Sequence, residues 1–326
     1  MIAPNLTLRP GDRLDNFELL DLVATSGMAT VFRARDLSTG TQVAIKVPHP
    51  EVESDPTMFD RFRREEEIGV RIDHPGVMKV FSNPDRSQVY LVMEWLDGQL
   101  LRQILKAERK LSPERATRIA LGICDALEHI HENGVVHRDL KPENIMVGPG
   151  DAIHLIDFGI AGSAGARRLT FAHFSQSMGT PDYISPEQVK GKRGDSRSDI
   201  YALGVMLYEM LTGEVPFSGV NPFAVMNDRL LNQPVPPREL DPSITPQLQE
   251  IVYRALEREP KNRYASAREM AIDLRHQDQV GVAERPDAEK WKARQSPQAR
   301  RVLLYSALML VPLLLFALLF LVSRHR

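Results

Sequence analysis

The sequence carries one cysteine, Cys124, among 326 residues, which excludes an internal disulfide framework. That cysteine lies in the apolar-periodic run Ala120-Leu121-Gly122-Ile123-Cys124-Asp125-Ala126-Leu127. With no flanking cation to lower its pKa, it reads as helix core and not as a reactive thiol. An excess of either charge is also missing: 41 Lys+Arg stand against 43 Asp+Glu, for a net charge of -2. No global basic field steers the chain to nucleic acid, and no nucleic-acid partner is expected. Met1 to Pro10 lacks the apolar core of a signal peptide, since Arg9 and Pro10 interrupt what hydrophobicity there is. Internal repeats are absent too. The length suits a two-lobed domain with a tail, with the bulk of the chain in the cytoplasm.

What is present falls into two halves. Residues 1–16 read as a loose leader. From Phe17, short β-branched runs alternate between turn residues: Glu18 to Val23, Ala29 to Ala34 and Gln42 to Val47 fit an antiparallel meander, with Ser38-Thr39-Gly40 as one turn. Met58 to Arg71 is a charged helix with apolar Phe59, Phe62 and Ile68, and Val77 to Phe81 and Gln88 to Met93 return to strand. Ser112-Pro113-Glu114 is an N-cap with proline at the first helical position, opening a mainly helical region that runs to about Gln277. The pattern predicts a small β-rich lobe (17–96) and a larger helical lobe (97–277), an α+β arrangement, followed by a polar linker (278–301). Val302 to Val322 carries no charge and as a helix would span roughly 31 Å, which matches a bilayer core and predicts one transmembrane helix with a short tail, 323–326. Arg285, Lys290, Lys292, Arg294, Arg300 and Arg301 on its N-terminal side outnumber Arg324 and Arg326 beyond it, so the larger part is expected on the cytoplasmic side.

One ordered set of polar residues bears chemistry. His137-Arg138-Asp139-Leu140-Lys141-Pro142-Glu143-Asn144 is followed by Asp157-Phe158-Gly159. Together they supply a carboxylate to accept a hydroxyl proton, a cation for phosphate, and two oxygen ligands of the kind hard Mg²⁺ prefers. Upstream, Val43-Ala44-Ile45-Lys46 places a lysine on a strand, and Glu65 lies on the charged helix. Downstream stand Gly179-Thr180-Pro181-Asp182-Tyr183-Ile184-Ser185-Pro186-Glu187 and Pro260-Lys261-Asn262-Arg263.

In this order the chain resembles the bacterial, eukaryotic-like (Hanks-type) Ser/Thr protein kinases over about residues 17–277, which implies the bilobal protein kinase fold. The resemblance implies ATP as phosphate donor, Mg²⁺ (or Mn²⁺) as metal, and protein substrates phosphorylated on serine and threonine. Position by position it implies that Asp139 is the catalytic base, Lys141 steadies the γ-phosphate, Lys46 holds the α- and β-phosphates with Glu65 as its helix partner, and Asn144 and Asp157 ligate the metal. Met93 matches the gatekeeper and Glu94 and Leu96 the adenine-edge residues, with Val31 and Ala44 beside them. Glu187 with Arg263, and Asp199 under the catalytic loop, are structural by the same analogy. The resemblance also implies that Arg138 receives a phosphate from the activation segment, where Thr170, Ser175, Ser177 and Thr180 are the candidate sites. A PP2C-type phosphatase and a transient homodimer autophosphorylating in trans are further expectations, at the bacterial inner membrane.

The resemblance has one departure. The phosphate-covering loop Val23-Ala24-Thr25-Ser26-Gly27-Met28-Ala29 has Ala24, Ser26 and Ala29 where the family has glycines that let backbone N–H groups approach the phosphates. A membrane-anchored pseudokinase scaffold is therefore the alternative to an active enzyme.

Overall fold

The computed structural model describes residues 8–157 and 181–283. The chain divides into Met1–Val282 and Ala283–Arg326, and the elements below lie in the first. Phe158, Gly159, Thr170, Ser175, Ser177, Gly179 and Thr180, and the 302–322 stretch, fall outside the described residues. Among the described residues no helix is long and apolar enough to cross a membrane.

The N-terminal lobe is a sheet of β1 (Arg13–Leu14), β2 (Phe17–Thr25), β3 (Ala29–Asp36), β4 (Gln42–Pro48), β5 (Val80–Phe81) and β6 (Leu91–Glu94), ordered β1-β2-β3-β4-β6-β5 and antiparallel throughout. Two-residue alternation decides which side chains go where. Val43 and Ile45 of β4 join Phe17, Leu19, Phe32, Ala34, Tyr90 and Val92 on one face. Ala44 points to the other, with Phe62, Met78, Val80, Leu91 and Met93. Lys46 shares the parity of Ala44, so the same alternation sends it toward α2. Gly40, at φ 75, closes the β3–β4 turn. After α1 (Pro50–Ser54), Asp55 caps α2 (Pro56–Arg71) by accepting from the backbone N–H groups of Thr57 and Met58 at 2.8 and 3.2 Å.

The C-terminal lobe begins with β7 (Gln99–Leu100), α3 (Leu101–Glu108) and α4 (Pro113–Glu132), whose Ser112 cap accepts from Arg115 N at 3.2 Å. β8 (Ile145–Val147) and β9 (Ile153–Leu155) form a hairpin beside β7. Then come α5 (Pro186–Val189), α6 (Ser196–Thr212), α7 (Pro222–Leu231), α8 (Pro237–Leu240), α9 (Pro246–Ala255) and α10 (Ala267–Arg275). Seven of these helices in the two lobes, α1, α2, α4, α5, α7, α8 and α9, open on proline, whose missing N–H would have lacked an intrahelical partner there in any case. α6 is buried from Ser198 to Leu211 and forms the axis of the lobe. Gly204 lets α9 lie against it, since a Cβ there would come within 2.7 Å of the Ala255 side chain.

Several sequence expectations need correcting. The leader is structured from its second half: Arg13–Leu14 pair with β2, Leu14 is buried, and Asp15 turns at φ 50. A two-residue strand has no period to read. The expected strand 77–81 shrinks to Val80–Phe81, with Val77 making a lone bridge to Leu155, and 88–93 becomes Leu91–Glu94. Helices α1 and α3 and the β8–β9 hairpin within the mainly helical region had no distinct signal of their own. Past α10, Gln277–Gln279 is a 3₁₀ turn and Val280 packs on the core, so the start of the expected linker belongs to the folded body.

Candidate active site

Lys46 is the point where three elements converge. From β4, its Nζ lies 2.6 Å from Glu65 Oε1 on α2 and 3.6 Å from Asp157 Oδ1 just beyond β9. Lys46 and Glu65 side chains are only 17% and 13% exposed, whereas Asp157 is 44% exposed and available to other partners. Burial alone would lower the Lys46 ammonium, but Glu65 and Asp157 outweigh it and hold it above the ordinary lysine value. Burial likewise pushes the Glu65 carboxyl up, to about 7, with Lys46 pulling the other way and Asp157 adding to the rise.

The loop joining α4 to β8 is held from beneath. Asp199 on α6, fully buried, accepts from the backbone N–H groups of His137 and Arg138 at 2.8 and 2.7 Å, and its Oδ2 lies 2.8 Å from His131 Nε2. These bonds maintain Arg138 at φ 64, a left-handed conformation that costs a non-glycine residue about 1–3 kcal/mol. The next residue, Asp139, is thereby presented at the surface of the cleft, 41% exposed, with Lys141 Nζ 2.7 Å from its Oδ2. Asn144, buried, donates through Nδ2 to the Asp139 carbonyl at 2.8 Å. That bond fixes the amide and leaves Oδ1 for a different partner. Asn144 Oδ1 and the Asp157 carboxylate are hard oxygen donors of the type a divalent cation takes together with phosphate oxygens, so the residues present fit such an ion.

Two lysines, an exposed carboxylate and an amide oxygen around one cleft suggest a nucleotide-dependent transferase, and comparison with known proteins decides the family. The model of the protein kinase domain matches residues 17–273. The chain belongs to the protein kinase family. It is 39% identical over 281 residues to the serine/threonine-protein kinase PknB of Mycolicibacterium smegmatis, covering 85% of this chain and 44% of that protein. PknB of Mycobacterium tuberculosis is 37% identical over 286 residues, covering 86% and 45%. The chain thus spans less than half the length of these relatives. The crystal structure of the Mycobacterium tuberculosis PknI kinase domain superposes with a TM-score of 0.65 at 25% identity, covering 83% of this chain and 100% of that one.

Val31, Ala44, Met93, Leu96 and Ile156 belong to one apolar cluster between the lobes, with Ala44 and Met93 buried. Glu94 turns its side chain away to accept from Lys79 N at 2.6 Å. Val23, Ala24, Thr25, Ser26, Gly27 and Met28 are exposed at the β2–β3 tip, and Ala29 is buried. The tip is closed by Ser26, whose Oγ accepts from Met28 N at 3.3 Å and Ala29 N at 3.1 Å while its own N–H donates to Ala29 O at 2.9 Å. The serine that replaces glycine therefore occupies backbone donors of the loop.

Below the catalytic loop, Glu187 and Arg263 are paired and Ser198 Oγ donates to Glu187 Oε1 at 2.7 Å. Gln188 Nε2 donates to the Arg138 carbonyl at 3.0 Å, linking α5 to the loop. A cavity of about 430 Å³ adjoins Asp139 and Lys141. There, Arg102 reaches Glu143 and Glu209 at 2.7 Å each and also meets the Tyr183 hydroxyl, which in turn donates to Glu209. Sequence reasoning missed Ile156, His131, Arg102, Tyr183 and Glu209. Only Tyr183 lay inside a motif, and the others join the site through contacts distant in sequence.

Proposed function

We propose that this chain transfers the γ-phosphoryl group of ATP to serine and threonine hydroxyls of proteins. The observation that carries the reading is the convergence of Lys46, Glu65 and Asp157 on one side of the cleft with Asp139, Lys141 and Asn144 on the other. In this reading Glu65 orients the Lys46 ammonium toward the α- and β-phosphates, and Lys141 neutralises charge developing on the γ-phosphate. Asp139 orients the acceptor hydroxyl and takes its proton. Asn144 and Asp157 would hold Mg²⁺, which would supply charge neutralisation on the phosphate oxygens. Lys141 in the catalytic loop, Thr180 in the sequence, and the naming of both PknB relatives as serine/threonine kinases support an aliphatic hydroxyl as acceptor. The pseudokinase alternative fits less well, because every charged group the chemistry requires is present and paired.

Regulation and location extend the same reading. Arg138 Nε is buried with no hydrogen-bond partner among the described residues, and Arg193 nearby adds like charge. Such a site suits a phosphate on Thr170, Ser175, Ser177 or Thr180, placed there by a second copy in trans and removed by a PP2C-type phosphatase. The uncharged run 302–322 supports a single-pass anchor in the bacterial inner membrane with the kinase side cytoplasmic. Incubating the purified chain with labelled ATP, Mg²⁺ and a generic basic protein should put label on serine and threonine; no transfer under these conditions would sink the enzyme reading. Removal of 302–326 should leave peptide turnover nearly unchanged and release the protein from membranes; retained membrane association would refute the anchor.

A further inference from the structure

Helix α2 carries Glu65 to Lys46 yet buries little of itself. Between Met58 and Glu67 only Phe62 is buried among the described side chains. Beyond Phe62, Ile68 and the Gly69 approach to Val80, little apolar surface fixes the roll of this helix, and the Glu65–Lys46 contact sets only one direction around its axis. The neighbouring Glu66 projects about 100° further round the helix. Its carboxylate takes both terminal nitrogens of Arg86, at 2.6 and 2.8 Å, from the connection between β5 and β6. The two side chains are 19% and 18% exposed, so this forked pair is shielded from the solvent screening that weakens surface ion pairs.

Arg86 is itself immobilised. Its Nη1 also donates to the Tyr90 carbonyl at 2.7 Å. Tyr90 is fully buried, its hydroxyl donates to Asp15 Oδ2 at 2.6 Å and accepts from Asn83 at 2.7 Å, and Asp15 also takes Ser87 N at 3.0 Å. A continuous polar brace thus runs from the β1–β2 turn through the β5–β6 connection to α2. At the far end of the helix, a Cβ on Gly69 would meet the Val80 side chain at 2.3 Å, so α2 already sits as close to β5 as it can. Roll is the freedom that remains, and the Arg86–Glu66 pair opposes it.

We propose that Arg86 and Glu66 are positioning residues for phosphoryl transfer: their ion pair sets the roll of α2 and, through it, the contact of Glu65 with Lys46. This rests on the kinase reading, and the test separates the two. With the full chain, Arg86→Ala and Glu66→Ala should each lower kcat/KM on a peptide about tenfold, and Arg86→Lys should recover part of it. Combining Glu66→Arg with Arg86→Glu should restore activity to within about threefold of the unmodified chain. In a Glu65→Gln background, Arg86→Ala should add less than about a twofold loss, because the contact it serves is already gone. Full activity in Arg86→Ala, or the same fold-loss with and without Glu65→Gln, would overturn the proposal. If the unmodified chain transfers no phosphate, the kinase reading fails while the brace is still read by amide exchange over 56–71. Faster exchange in Arg86→Ala than in Arg63→Ala, which removes the exposed Arg63–Glu67 pair of the same helix, supports it, and equal exchange overturns it.

Discussion

Arg263 and Glu187, 76 residues apart, meet through two parallel hydrogen bonds of 2.8 and 2.7 Å. The Arg263 side chain is 0% exposed and that of Glu187 9%. Burial alone would raise the Glu187 carboxyl, but Arg263 and Ser198 overcome it and hold the group down at about 2. A carboxyl whose native pKa lies below its ordinary value adds stability that is complete above about 4.5 and lost as pH falls toward 2. The urea midpoint should therefore drop across that window, and Glu187→Gln should flatten the dependence. Arg263→Met leaves a buried carboxylate unpaired and should cost about 3–5 kcal/mol, read from the same denaturation curves.

Asp199 joins α6 to the catalytic loop in a way that separates folding from chemistry. Asparagine in its place would keep one oxygen to accept from one of the backbone N–H groups of His137 and Arg138, but would aim its amide N–H₂ at the other, which is itself a donor. The loop should relax from the strained conformation at Arg138 and misplace Asp139. Asp199→Asn is expected to lose about 10²-fold in kcat with nucleotide binding within about threefold of the unmodified chain. Equal loss in both would mean that Asp199 supports the whole cleft.

Asp139→Asn and Lys46→Met should both abolish measurable transfer, but differently. Neither removes core volume, so both variants should fold, but Lys46→Met should melt lower than Asp139→Asn because it strips the shielded Glu65 carboxyl of its cation. Lys46→Met leaves Glu65 and Asp157 without their cation and should weaken ATP binding, whereas Asp139→Asn touches only the acceptor side and should leave it intact. Calorimetric titration with a non-hydrolysable ATP analogue distinguishes them; full activity in Asp139→Asn would reject the assignment of the base.

How much of this was legible in the sequence depended on whether the signal was local. The Asp139 to Asn144 loop and Lys46 could be read because each sits in a contiguous motif, and β4 could be read because two-residue alternation sends Val43 and Ile45 one way and Ala44 and Lys46 the other. Beginnings and connections could not. Arg13–Leu14 is too short to have a period, and α3 begins directly after β7 with Leu100 as its cap residue, where no side-chain oxygen announces a start. The network of Arg102, Glu143, Tyr183 and Glu209 joins residues 26 to 107 positions apart, and nothing in any one of them predicts the others. Motif spacing reports what each element carries; which surface charges become partners is decided by packing.

The Ser26 tip offers a test in which the substitution should improve function. Ser26 Oγ holds the N–H groups of Met28 and Ala29, donors that a glycine would leave for phosphate oxygens. Ser26→Gly frees both and should lower KM for ATP about two- to fivefold, a gain of the size of one modest hydrogen bond, with kcat nearly constant. A raised KM instead would show that the serine orders the loop over the nucleotide and does not compete with it.

Glu65 makes the acid side of the pH profile informative. Burial pushes its carboxyl up to about 7, well above an ordinary glutamate, although Lys46 pulls the other way. Two consequences of opposite sign follow. A carboxyl raised on folding contributes stability that is complete below about 4.5 and declines as pH rises through about 7, because the folded protein then holds a costly buried charge. Catalysis needs that charge, since only ionised Glu65 attracts the Lys46 ammonium. Log activity should therefore rise with slope one below about pH 6 and level off above about pH 8, while thermal stability does not follow it. Glu65→Gln should show low activity with this limb removed, and any pH dependence that survives in the variant belongs to ATP or to another group. If the limb is unchanged in Glu65→Gln, the ion pair at the centre of the cleft is not what titrates, and the orienting role given to Glu65 must be abandoned.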